Sequence, residues 1–515
     1  MIQICSAILV LIMFLGGTGT GLCEPQNTGW ETAESPSGQV DLIELLKQKG
    51  VISETEALQL KERSAEKEGG VQAGDTLVSP ENRAIADQVA EKIGEQVTDR
   101  VKDRIKTEME ASDQAWLDKI YVSVPEWTRR IRWNGDVRLR YEGNFYNPEN
   151  ADFLDPADPS RLMNSKTDRN RFRYRARLGL IAEVTNQVDA GFRLATGSTG
   201  NPISTNETVD DDFNKDSFLL DLAYLKIQPI PSLPETNLWG GRIPNPWFST
   251  DLVWDSDLNF EGVAMNIDFY AAKWLRPFIN GGWFPIQEEE WYTDKYMSGG
   301  QAGLEIKPRM DLILTIGAAY YDYRHITGEV NDPLRPGETD WTAPGYMQKG
   351  NSLMDIDPDV GTIKTALAGE YTLINFTGKF DIALFHPVHI VLVGDYVENI
   401  GFDADKVAFR LGEASWPEET TGYIYGMEVG HPSVRNFSEW NVAFYYRHLE
   451  ADAVLDAFTD SDFHLGGTNA EGWMLNTQIG LTKNLWLSVK WSTADEIVGA
   501  PLAIDVMQVD LNAKF

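Results

Sequence analysis

From residue 131 to the carboxyl terminus, apolar and polar side chains alternate in short runs. In "IRWNGDVRLRY" (131–141), Ile131, Trp133, Val137, Leu139 and Tyr141 share one face, and Arg132, Asn134, Asp136, Arg138 and Arg140 share the other. In "RFRYRARLGLIAEV" (171–184), Phe172, Tyr174, Ala176, Leu178 and Leu180 oppose Arg171, Arg173, Arg175 and Arg177. Such a period of two belongs to strands with one apolar and one polar face. It recurs in "GQAGLEIKP", "LINFTGKFDIALF", "WNVAFYYRHL", "GWMLNTQIGL", "LWLSVKW" and the closing "QVDLNAKF". About 16 such segments can be counted.

The connections alternate in length. Short ones fall at 185–187, 229–235, 307–309, 386–387 and 482–484; long acidic ones fall at 142–168, 199–215, 324–361, 399–419 and 450–470. This predicts an all-β architecture over 125–515, a transmembrane antiparallel up-and-down β-barrel with turns on one side of an outer membrane and loops on the other. A soluble sandwich or propeller is the competing architecture. Against it, aromatic residues gather near segment ends, as in membrane girdles, and the polar faces are charged. The arginines of 171–177 also lie about 7 Å apart on one face. A packed core would not tolerate that spacing, whereas a water-filled lumen would.

Upstream of 125 the period is helical. Residues 40–63 read as two short helices, the first ended by Gly50 and the second opened by a capping box of Ser53 and Glu56. Over 81–124 the apolar residues Ile85, Val89, Ile93, Val97, Val101, Ile105 and Met109 recur every four positions. That stripe drifts by about 40° per step on a helix, which suits a solvated spacer or a periplasmic oligomerisation stalk of coiled-coil type. The apolar run at the start is too short to span a bilayer and reads as a signal peptide over 1–23, with 24–80 a linker holding the helical hairpin. Only Cys5 and Cys23 are present, so the exported chain is expected to carry no intramolecular disulfide and no thiolate metal cluster.

A mean hydropathy of -0.31 looks soluble, but polar lumen positions dilute the lipid-facing ones in a barrel. The net charge of -33 argues against a nucleic-acid partner. Its acidic runs read as solvated loops. "DIDPDVG" spaces carboxylates like a calcium loop, but Val360 occupies the glycine position and Ala366 that of the closing glutamate, so an EF-hand is rejected. There are six histidines, and His386 and His389, three apart in a strand-like run, are expected to face opposite ways and not to share a metal. No catalytic residue, cofactor or metal site is expected, and the chain does not read as an enzyme.

Two features remain as candidate chemistry. The arginines of 171–177 form either a positive strip that guides anions or a wall that neutralises carboxylates across the lumen. In "GGRIPNPWFSTDLVWDSDLNFEGVAMNI" (240–267), prolines 244 and 246 end the fifth predicted strand and a new alternation begins near Phe260. The third long-side loop between them carries Asp251, Asp255 and Asp257. Folded inward, it would form a constriction opposite the basic wall. The expected lumen lining is Arg132, Asp136, Arg138, Arg140, Arg171, Arg173, Arg175, Arg177, Arg193, Glu305 and Lys307.

The stretches "GRIPNP", "DLVWDSDLNFEG", "PVHIVLVGDYVEN" and "LLKQKGVISETEALQLK", with the closing Phe515, resemble the bacterial putative porins. The resemblance covers nearly the whole mature chain. It implies an outer-membrane barrel of a Gram-negative bacterium, serving as a passive diffusion pore for small polar solutes and ions, with its N-terminal segment in the periplasm. The expected partners are outer-membrane lipid, those solutes, the barrel-assembly machinery that reads a terminal Phe such as Phe515, and, left open, a homo-trimer. The alternative is a structural barrel that tethers the envelope through its periplasmic helix.

Overall fold

The computed structural model describes residues 126–515 except 156, 157, 211, 231, 232, 234 and 360. The expected signal peptide, the hairpin of 40–63 and the helix of 81–124 lie outside the described residues. A single helical turn, α1 (Glu126–Arg129), leads into the first strand. Sixteen long strands then follow. They are β1 (Ile131–Tyr146), β2 (Arg169–Thr185), β3 (Val188–Ala195), β4 (Leu219–Ile227), β5 (Asn237–Ile243) and β6 (Phe260–Asp268). Next come β7 (Leu275–Gln287), β8 (Lys295–Arg309), β9 (Leu312–Arg324), β10 (Thr372–Phe385) and β11 (Val388–Asn399). The last five are β12 (Thr421–Gly430), β13 (Trp440–Leu449), β14 (Ala470–Thr482), β15 (Leu485–Glu496) and β16 (Ala503–Lys514).

Each strand pairs antiparallel with its neighbours in the chain, and the ring closes between its ends. β1 pairs with β2 from Ile131↔Ala182 to Asn144↔Arg169, and with β16 from Asp136↔Lys514 to Tyr146↔Ile504. Closure leaves no strand edge, the requirement for β structure in a solvent that offers no hydrogen bonds. Side-chain parity follows the sequence pattern. On β1, Trp133 and Leu139 are 64% and 55% exposed, whereas Arg140 and Glu142 are 4% and 2% exposed. The same inversion holds elsewhere: Phe376 and Leu392 are exposed outside, and Asn375 and Asp395 are buried inside. The apolar residues coat the barrel and the charges line its interior.

The expected strict alternation of short turns and long loops is corrected. On the loop side the connections are 147–168, 196–218, 244–259, 288–294, 325–371, 400–420, 450–469 and 497–502, here loops 1 to 8. Loops 4 and 8 are shorter than the turn-side connections 228–236 and 431–439. The side of a connection is fixed by counting strands, not by its length. Nor are the acidic stretches only solvated. Loop 6 contains α2 (Ala404–Leu411), where Asp403 accepts the Lys406 N–H as N-cap and Gly412 ends the helix at φ 71°. Val407 of α2 packs with Met354, Ile356, Ala366 and Ala368 of loop 5 in a small apolar cluster.

The seam ends on Phe515. Its N–H donates to the Gly135 carbonyl at 3.0 Å, and its own carbonyl accepts from the Gly135 N–H at 2.9 Å. The phenyl ring lies over Gly135, where a Cβ would meet ring carbons at 2.5 and 2.7 Å and the Arg177 carbonyl at 2.8 Å. Only glycine leaves room for the ring. Gly135→Val is therefore expected to loosen the seam by about 1–3 kcal/mol, as overpacking does. The measurement is the temperature at which the compact barrel band on SDS gels converts to the unfolded one; an unchanged midpoint would show the ring to be dispensable.

Candidate functional site

The basic wall forms where β1, β2 and β16 meet inside the barrel. Arg140 forks onto Asp510 at 2.7 and 2.9 Å and reaches Asp462 at 3.1 Å. Arg171 and Arg173 share Glu142, at 2.5 and 3.3 Å. Arg175 and Arg177 share Asp136, at 2.9 and 2.8 Å. Arg138 donates to Asn206 of loop 2 at 2.5 Å and lies 4.0 Å from Asp510. Arg138, Arg140, Arg171, Arg173, Arg175 and Arg177 thus face Asp136, Glu142, Asp257, Asp462 and Asp510, six positive groups against five negative. The wall is close to neutral, with alternating signs, rather than a bare positive strip.

Loop 3 reaches this wall from across the barrel. At its near end Phe248 donates its N–H to Gln301 on β8 at 2.9 Å and accepts from the same side chain at 2.7 Å. Next, Thr250 donates its N–H and hydroxyl to Asp395 on β11, at 3.2 and 2.7 Å. Asp257, seven residues on, accepts from Arg175 at 3.3 Å and from Arg177 at 3.1 Å on β2. β11 and β2 stand seven strands apart one way round the ring and nine the other, so the loop bridges nearly opposite walls. Burial opposes ionisation of Asp257, but Arg175 and Arg177 outweigh it and hold the carboxyl below its usual range.

Between these anchors the loop is held by a dry core. Leu252, Val253 and Trp254 are buried against Phe260, Tyr321, Leu449 and Phe463. The Trp254 ring meets Phe260 and Tyr321 edge-on at 4.9 and 5.1 Å. Loop 7 packs on loop 3: Asp255 accepts the Ser461 N–H at 2.8 Å and donates its own N–H to the Phe458 carbonyl, while Thr459 donates to the Leu252 carbonyl. Burial, then the nearby Asp460, Asp257 and Asp251, push the Asp255 carboxyl well above its ordinary value. Arg447, 1% exposed, fastens loop 7 through Thr459 and Asp460. Loop 5 joins through Lys349, which donates to the carbonyls of His464 and Gly466.

The interior is consequently divided. A cavity of about 560 Å³ lies toward the loop ends of the strands, lined by residues such as Thr196, Trp254, Phe284, Lys295, Tyr323 and Tyr346. Another of about 340 Å³ lies further down, lined by Trp239, Pro246, Phe248, Asn266, Arg276 and Thr315.

The expected residues scatter more widely than the sequence implied. Arg193 pairs with Asp221 at 2.5 Å and Asn259 at 3.2 Å, away from the ladder. Glu305 and Lys307 pair with each other at 2.7 Å, and Glu305 also takes Arg276 at 3.2 Å. Arg132 is exposed at the turn-side end of β1. Of the three loop aspartates only Asp257 touches the basic wall; Asp255 serves the loop 7 contact, and Asp251 is exposed. The expectation that His386 and His389 face opposite ways is also corrected. His386 lies in the tight turn between β10 and β11, where strand parity does not apply, and its Nδ1 comes within 3.4 Å of His389 Nε2. The role of loop 7 was missed, although "LEADAVLDAFTDSDFHL" mixes apolar residues into its acids, the sign of a loop with something to bury.

A closed 16-strand barrel with an apolar coat, a charged interior and an inserted loop is the architecture of an outer-membrane channel protein. Residues 36–515 match the family described as "Putative porin", and the chain belongs to that family. A comparison with curated proteins finds no match. Among solved structures, OprB of Pseudomonas putida is 10% identical, with 75% of this chain and 95% of that one covered and a TM-score of 0.45. The outer membrane channel DcaP of Acinetobacter baumannii is 13% identical over 75% and 97%, at a TM-score of 0.38. OmpT of Vibrio cholerae in its trimer form is 10% identical over 75% and 99%, at 0.40.

Because Trp254 anchors loop 3 through packing alone, Trp254→Ala should undock the loop while the barrel persists. Removing a ring this buried costs about 3–5 kcal/mol, larger than any single hydrogen bond holding the loop. Hydrogen exchange is expected to accelerate over 247–258 and not over the strands; unchanged protection of that loop would refute the packing argument.

Proposed function

We propose that this protein forms a water-filled channel for passive diffusion of small polar solutes and ions across the outer membrane, narrowed where loop 3 meets the basic wall. The observation that carries this reading is the contact of Asp257 with Arg175 and Arg177, made by a loop anchored on the far wall at Asp395. It brings a carboxylate carried from the far wall onto two guanidinium groups inside the barrel, so that a passage beside the contact meets closely spaced charges of opposite sign. The loop side faces outward and the turn side faces the periplasm, together with the N-terminal segment. No turnover is involved. The apolar coat is solvated by lipid, Phe515 is read by the barrel-assembly machinery, and the chain associates as a homo-trimer.

Recording from purified protein in a planar bilayer tests the reading: stepwise conductance is expected, and its absence would sink the channel. Selectivity follows the signs at the contact. Replacing Arg175 and Arg177 together by alanine leaves Asp136 and Asp257 unneutralised, so the reversal potential in a salt gradient should move toward cation preference. Asp257→Asn should move it the other way. If both variants keep the wild-type value, ions do not pass this contact.

A further inference from the structure

We propose that the turn-side end of the β10–β11 hairpin is a binding site for one divalent transition-metal ion of the Zn2+, Cu2+ or Ni2+ class, held by His386 Nδ1 and His389 Nε2. The two nitrogens stand 3.4 Å apart, with the rings tilted by 60°. That distance is at the long end for a hydrogen bond, N–H donors sitting about 2.7–3.2 Å from oxygen acceptors. It fits chelation. Two imidazoles bound to one tetrahedral ion at about 2.0–2.1 Å place their nitrogens about 3.3–3.4 Å apart.

A second observation points the same way. The other nitrogen of His389, Nδ1, lies 2.8 Å from Asp381 Oδ1 on the adjoining strand. A carboxylate that receives the Nδ1–H fixes the tautomer in which Nε2 carries the free lone pair. This carboxylate–histidine pairing is the usual outer support of a metal-bound imidazole. β11 gives His389 the same parity as Asp395, so it faces the barrel interior, while His386 is exposed in the turn. Imidazole pairs favour borderline ions over Mg2+ or Ca2+, which take oxygen ligands. Among the described residues no set of three His, Cys, Asp or Glu side chains converges on one point. The remaining coordination positions therefore go to water or a passing solute, and the ion is exchangeable.

The test uses the full chain in detergent, with Zn2+ titrated calorimetrically and Cu2+ followed by electron paramagnetic resonance. One ion per chain is expected, with two imidazole nitrogens coupled to the copper. His386→Ala and His389→Ala should each weaken binding at least tenfold and remove one nitrogen from the spectrum. Asp381→Asn should keep both nitrogens but bind about 10–100-fold more weakly. His431→Ala, at a different turn, should change nothing. The compact band on SDS gels reports that each variant is folded. The site is overturned if folded wild-type protein binds no Zn2+ at millimolar concentration, or if the His386→Ala/His389→Ala double variant retains wild-type affinity. Because binding is read directly, these outcomes are independent of whether the barrel conducts.

Discussion

A backbone in hydrocarbon must find all its hydrogen bonds within the protein, and here it does so by joining its last strand to its first. The pairing of β1 with β16 is the condition for everything else. Once the ring is closed, every residue of a strand points either to lipid or to the interior, with no third option. A slip of one residue at the seam would expose Arg138 and Asp510 to hydrocarbon and turn Leu139 and Leu511 inward. The cost of charged side chains in lipid, about 2–4 kcal/mol each at mid-depth, makes that register unambiguous. The Gly135–Phe515 contact marks where the register is pinned.

Closure creates a second problem, since an interior wide enough for 16 strands must be filled or wetted. The chain does both, in different sectors. Toward the loop ends of β5 to β9 the interior holds a dry aromatic core in which Trp254, Phe260, Phe284 and Tyr321 interlock, with the two cavities adjoining it. Across from it, on β1, β2 and β16, it is a lattice of guanidinium and carboxylate groups. Burying six arginines without partners would cost several kcal/mol apiece, far beyond what packing could offset. Their five carboxylate partners are what allow so dense a basic wall to exist. Loop 3 spans the two sectors, with Trp254 in the dry one and Asp257 in the ionic one.

The barrel was legible in the sequence because parity is a local signal that lipid enforces at every position. The alternation of 131–141 and 171–184, the count of strands and the place of the third loop all follow from it. The strand bounds extended further than the alternation suggested, to Tyr146 on β1, because pairing continues above the membrane where no pattern is demanded. What sequence could not show is which loop residues meet. Asp251, Asp255 and Asp257 are equivalent as text, two or four positions apart, yet one meets arginines, one meets the backbone of loop 7 and one meets solvent. Those fates depend on contacts far along the chain, 82 positions for Asp257 with Arg175 and 206 for Asp255 with Ser461. Turn geometry misled in the same way, because His386 and His389 are opposed by strand parity only if both belong to the strand.

The division of the interior bears on where a solute could travel. Both cavities lie against β5 to β9, parted by the aromatic residues of loop 3, and the proposed channel's path past that loop runs beside the ionic sector. Its polar groups that stay accessible there are telling: Asp251 is exposed, and Asp462 and Lys490 keep about a quarter of their side-chain surface, 26% and 25%. Arg140 and Lys490 hold the Asp462 carboxyl well below its ordinary range, despite burial. A path so lined alternates in sign over a few ångströms. Such a lining presents little net charge to an ion yet a steep lateral field to a dipole, so it should discriminate by size and dipole orientation more than by net charge. For the channel proposed above, the large negative charge of the whole chain would govern how ions gather at the mouths, while the near-neutral wall would govern which solutes pass.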